Sequence, residues 1–159
     1  MNNRCLYKAK STDNGEWIEG FYVICRKRYY ILPVYNTEEG FDERFTDYIE
    51  VYQYTICQCT GLEDKNGKLI YENDITELTL ASGEIRHFLV SFEKVVRKVI
   101  CHPDFEDDVA KVELNAVCFK WQGYKLFPCI DDDEISDVEK MVVVGNAFDS
   151  SELTEDKQK

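Results

Sequence analysis

Glycine-bearing turn signals punctuate this chain at short intervals, and each separates two short apolar runs. Asn14-Gly15 lies between residues 6–10 and 17–25. Asn66-Gly67 lies between 54–59 and 69–71, Ser82-Gly83 between 75–80 and 85–92, and Gln122-Gly123 between 112–121 and 124–130. A chain cut this often is predicted to fold as hairpins, since a Gly at positive φ reverses it without the steric cost of a side chain. Within the runs, Phe88, Val90 and Phe92 alternate with polar neighbours, which is the two-residue period of a half-buried strand. Further strands are predicted over 29–32, ended by Pro33, and over 95–101 and 138–144. Residues 41–52 break the pattern. Phe45, Tyr48, Ile49 and Tyr52 stand three and four apart and predict a short amphipathic helix. The acidic stretches 102–108 and 131–134 are expected as loops, and the polar residues from Ser150 onward as a tail with one helical turn.

Composition agrees with sheet and narrows the partners. Of 159 residues, 44% are apolar and 13% aromatic, enough for a core built from the Tyr, Phe, Val and Ile that suit a pleated surface. The formal charge of −12 sets the surface against phosphate backbones, so direct nucleic-acid binding is not expected; the basic run Arg26-Lys27-Arg28 reads as a hairpin end. No apolar run has the length of a membrane span, and the first residues lack the apolar stretch of a secretory signal. Seven cysteines at irregular spacing, several where a strand would place a small buried hydrophobe, read as thiols of a reduced protein, so the expected location is the cytoplasm.

Candidate chemistry is sparse. Cys57-x-Cys59 with Cys101-His102 offers thiolate and imidazole, the ligand types zinc prefers, but at a spacing that fits neither finger nor ribbon; the cysteines read better as core fillers. A cysteine nucleophile would need His87 or His102 beside it. Asp64-Lys65-Asn66-Gly67 resembles the start of a calcium loop, yet the Gly comes too early and the distal Glu is missing from its position. Phosphate loops, nucleophile elbows and zincin motifs are absent from the sequence. No metal and no cofactor is expected.

The segment CQCTGLEDKNGKLIYENDI, residues 57–75, follows the order of a Gln-aromatic-Thr-Gly-Leu, Asp-Lys-Asn-Gly-Lys, Ile-Tyr-Glu and Asp-Ile signature. In this it resembles the YopX family of phage and prophage proteins, with Cys59 in place of an aromatic and Asn73 where the family often has Gly. Two flanking segments are similar as well: KAKSTDNGEWIEGFYV, residues 8–23, and VVGNAFDSSEL, residues 143–153. The resemblance implies an N-terminal β-rich lobe followed by a small barrel of the Src-homology-3-like type, encoded by a mobile element, and it transfers no catalytic residue. Read as physics, the signature asks for architecture. Asn66 and Gly67 fit the central positions of a primed turn after Gly61; Leu62 and Ile70 bury apolar side chains on either side, and Asp64 belongs to the same turn. Asp74 is placed to accept backbone N–H bonds from the loop before Ile75.

The expectation is therefore a mainly β chain with a β-rich lobe over 1–58, a YopX-like small barrel over 59–153 and a tail over 154–159. Its expected role is non-catalytic binding or regulation through protein contacts or self-association, away from membranes. Two rivals stand beside it: an enzyme without a recognisable signature, which asks for a pocket lined by His87, His102 or clustered carboxylates, and an acidic decoy imitating DNA.

Overall fold

The computed structural model describes residues 5–34, 48–102 and 105–153. It is mostly β, a curled half-barrel sheet with a second sheet. Strands β1 (Leu6–Lys10), β2 (Trp17–Cys25), β3 (Arg28–Pro33), β4 (Ile49–Glu50), β5 (Cys57–Glu63) and β6 (Leu69–Tyr71) form one sheet in the order β4-β3-β2-β1-β5-β6. The second contains β7 (Asp74–Thr79), β8 (Ile85–His102), β9 (Phe105–Trp121), β10 (Tyr124–Leu126) and β11 (Val142–Asn146) in the order β10-β9-β8-β7-β11. Strand β5 runs through position 58/59. It pairs with β1, while Leu62 and Ile70 from β5 and β6 pack into the core of the second sheet, so this hairpin belongs to both layers.

The first three strands form the expected meander, and its crossing is tight. Gly20 on β2 passes so close to β3 that a Cβ would meet the Leu32 carbonyl oxygen at 2.0 Å. Arg26 (φ 49°) and Lys27 (φ 66°) both take the left-handed conformation, which makes the β2–β3 reversal a primed turn despite the absence of Gly. Gln122 (φ 46°) and Gly123 (φ 79°) do the same between β9 and β10. The core of the first sheet is Ala9, Ile31 and Val51; that of the second is Ile70, Leu78, Phe88, Val90, Phe119, Val138 and Met141.

Several expectations are corrected. Ile49–Glu50 is a strand paired with β3 rather than helix, because Tyr30 and Ile31 offer it a free edge; residues 41–47 of the predicted helix lie outside the described residues. Residues 53–55 form a single 3-10 turn, so β5 begins at Cys57. The strand expected over 138–144 begins only at Val142, since Ser136 and Glu139 close a capping box over the 3-10 turn Asp137–Lys140 and turn Val138 into the core. The run expected over 124–130 is a strand only as far as Leu126, with an isolated bridge from Ile130 to Ser136 beyond it. The strands expected over 85–92 and 95–101 are one continuous strand, and the acidic residues 105–108, expected as loop, belong to β9. No turn former interrupts 92–95, and an extended strand accepts acidic residues as readily as a loop where its side chains are not required in a core. The tail beyond Leu153 lies outside the described residues.

Candidate functional site

Polar side chains from distant parts of the chain meet where the two sheets join. Asp74, at the start of β7, has no solvent exposure, and its carboxylate is fully engaged. Oδ1 accepts from Lys8 Nζ at 2.5 Å and from Asn146 Nδ2 at 2.9 Å, and Oδ2 accepts from the Tyr71 backbone N–H at 2.9 Å. The chain thus brings a cation from β1 and an amide from β11 to one buried anion, the arrangement a buried charge requires. The Lys8 ammonium also lies 5.2 Å from the Trp17 ring and 4.8 Å from the Tyr71 ring. Trp17 donates through Nε1 to Asp149 at 2.6 Å, and Lys10 pairs with the same carboxylate. Burial, with Glu19 beside it, drives the Tyr71 phenol strongly upward, and the buried hydroxyl makes no hydrogen bond of ordinary geometry among the described residues.

The residues of the central signature sit around this junction. Gly61, at φ 78°, lies where the β5–β6 register shifts between Cys59 and Glu63. Leu62 is half-buried against the second core and Ile70 is fully inside it. Asp64 is buried, and its two oxygens do separate jobs: Oδ1 accepts from the N–H groups of Asn66 (2.8 Å) and Lys68 (3.0 Å), and Oδ2 from Val143 on β11 (3.0 Å). Burial pushes its pKa upward, but the N–H bonds from Val143, Lys68 and Asn66 outweigh it and hold the carboxyl below its ordinary value. The primed turn predicted at Asn66-Gly67 does not form. Asn66 keeps a negative φ and only Gly67 is left-handed, at 76°; the loop closes through Gly67 N–H to Asp64 O (2.9 Å) and Asp64 N–H to Lys68 O (2.8 Å). This is the three-residue hairpin with Gly in the αL position, selected because the Asp64 carboxylate needs the N–H groups of 66 and 68 aimed inward.

The junction draws on all three sequence segments that carry the resemblance. Lys8 and Trp17 come from the first, Asp64, Tyr71 and Asp74 from the second, and Val143, Asn146 and Asp149 from the third. The family profile described as YopX protein matches residues 6–155. The chain belongs to the YopX family. No curated protein matches it. In this YopX chain, sequence reasoning found Asp74 but missed Lys8 and Asn146, although both lie inside the flanking segments that carried the resemblance; an isolated Lys on a strand and an Asn before a turn give no local sign of a shared partner.

Other candidates are weaker. Cys57 and Cys59 are buried beside Tyr71, and burial raises both thiols, Cys57 to about 11, whereas Cys101 is exposed near the end of β8. Among the described residues no three His, Cys, Asp or Glu side chains gather where a metal ion could sit. A cleft of about 210 Å³ is lined by His87, Lys120, Trp121, Lys125 and Leu153. His87 meets Glu77 at 3.1 Å, and both lysines are held by Glu93, whose carboxyl they draw down to about 2, Lys125 foremost. The cleft's cations are thereby already answered, and its imidazole has a carboxylate but no nucleophile aligned with it among the described residues.

A long exposed feature among the described residues is the outer part of the β8–β9 hairpin. Strand β7 pairs with β8 only from Ile85 to Leu89, and β10 pairs with β9 only from Phe119 to Trp121. Beyond Val90 and Val117 the two strands pair with each other alone among the described residues, in unbroken register to Ile100 and Val109 and, after a register shift, at His102 and Phe105, an arm roughly 30 Å long. Arg97 braces its base, reaching the Lys125 carbonyl at 3.0 Å and lying 4.6 Å over the Phe127 ring. On either side of it and beyond, Val96 (57% exposed), Ile100 (59%), Val109 (49%), Val99 and Leu114 face solvent.

Proposed function

We propose that this YopX protein is a non-catalytic binding protein of phage or prophage origin, acting in the bacterial cytoplasm through contacts made by the β8–β9 arm. The observation that carries this reading is the arm itself: exposed valine, isoleucine and leucine on two strands whose outer edges pair with no further strand among the described residues. Such an edge recruits another strand, and such a surface another apolar face. The buried signature residues then serve to hold the platform rigid beneath it, and the lack of a helix long and apolar enough to cross a membrane, among the described residues, is compatible with that role. A photo-crosslinking residue at Val96 in the full chain, expressed in the bacterium carrying the gene, tests it. Protein crosslinks are expected from position 96 and not from the exposed loop position Lys65; equal yields from both positions would remove the arm as the contact surface.

A further inference from the structure

We propose that the arm's partner is a second copy of this chain, joined edge to edge through β9 in an antiparallel pair centred on Val112; the inference rests on the arm being the contact surface. The two edges, unpaired among the described residues, differ in charge. Strand β8 carries Lys94, Arg97 and Lys98 along its outer part, so a two-fold pairing of β8 with its copy about Val96 sets Lys94 opposite Lys98, twice. Like charges directly opposed destabilise a strand pair, and lysines along an edge are a common guard against such pairing.

Strand β9 has the complementary pattern. Around Val112 the sequence reads Lys111-Val112-Glu113, and a two-fold axis there sets Lys111 of each copy opposite Glu113 of the other, Val112 opposite Val112, and Ala110 opposite Leu114. The ribbon's own register explains why Lys111 gains from this. Lys98 stands directly opposite Lys111 within one copy, while Glu113 already reaches across the strands to Lys94 at 2.7 Å. One carboxylate holding two lysines has a precedent in this chain, where Glu93 bridges Lys120 and Lys125. The pairing also extends a largely apolar side of the ribbon, where Val99, Ala110, Val112 and Leu114 stand by register with Arg97, whose guanidinium is drawn over the Phe127 ring. Two strands alone are marginal in water, and the pair becomes four. With a formal charge of −12, general self-association is opposed, so only a surface with local complementarity brings two copies together.

Sedimentation equilibrium on the full chain at low salt is the first test, and a dimer weakened by added salt is expected. Lys111→Glu is expected to weaken it about tenfold, and Lys111→Glu with Glu113→Lys to restore it. Because Lys111→Glu also relieves the repulsion from Lys98, the variant monomer should melt no earlier than the parent. Independently, Val112→Cys should yield a 112–112 disulfide on mild oxidation, located by mass spectrometry. A wild type that stays monomeric at about 100 μM overturns the proposal, as does a dimer indifferent to Lys111→Glu or one that never forms the 112–112 bridge. If Val96 nevertheless crosslinks a different protein, the arm remains the contact surface and only the second copy is excluded.

Discussion

The junction of β1, β7 and β11 and the outer arm of β8 and β9 put polar and apolar groups in opposite places. At the junction, a carboxylate with no exposure is matched by Lys8, Asn146 and the Tyr71 N–H. On the arm, apolar side chains stand in water above a ladder that no third strand covers among the described residues. The first region has polar groups where apolar ones would pack more cheaply, and the second has apolar groups where polar ones would be soluble. Buried charges fix which strands meet, because leaving any member unpaired costs the full desolvation of the others. Exposed apolar strands contribute little to the monomer and are available to another surface. The contrast teaches that the part of this fold that fastens its strands together is not the part that leaves apolar surface open.

Asp74→Ala should break that contrast most severely. It leaves the Lys8 ammonium buried without its anion, and denaturant melts are expected to show a loss of about 3–5 kcal/mol. Replacing both partners, Lys8→Met with Asp74→Leu, should cost clearly less than Asp74→Ala alone, because no uncompensated charge remains. A double variant at least as unstable as the single one would mean that the hydrogen bonds to Asn146 and Tyr71, not the ion pair, carry the junction.

Next in size is Gly67→Val. The space around a Cβ at Gly67 is open, so the cost comes from φ 76° alone and should be on the order of 1–3 kcal/mol in the same melts. Gly67→Asn, which tolerates the left-handed region better, should recover most of it.

Acid should sharpen the comparison further. The folded-state value of Asp64 is depressed, so its contribution to stability is fully present above the ordinary value of 3.8 and is lost as pH falls through the lower folded value. Melting temperatures measured downward from pH 5 should fall, and Asp64→Asn should flatten that fall while lowering stability at neutral pH. A slope unchanged by Asp64→Asn would place the acid-sensitive group elsewhere.

The smallest effect is expected on the arm. Val96→Thr keeps the β-branched shape of an exposed strand residue, and monomer stability should stay within about 0.5 kcal/mol of the parent. A larger loss would show that the arm is covered in the free chain and would dissolve the contrast with the junction.

How much of this was legible beforehand follows from the range of each interaction. Turn signals and alternation act over a few residues, so the β1–β2 hairpin around Gly15, the β7–β8 hairpin around Gly83 and the β9–β10 reversal at Gln122-Gly123 could be read directly, as could the mostly β class. The family signature could be read as well, because it is a pattern of residue types. The partners of Asp74 could not: Lys8 lies 66 positions away and Asn146 72, and a strand's sequence says which face a side chain takes but not which strand will lie against it. The turn at Asn66 went the same way, since its local preference for a primed turn was overridden by the Asp64 carboxylate fastening the loop to Val143 on β11. The length of β8 was also a tertiary outcome. Sequence by itself determined the hairpins and the signature; the junction, the turn type and the uncovered arm were decided only when the two sheets packed, because the burial that makes a charge need a partner or leaves a ribbon bare exists only in the assembled fold.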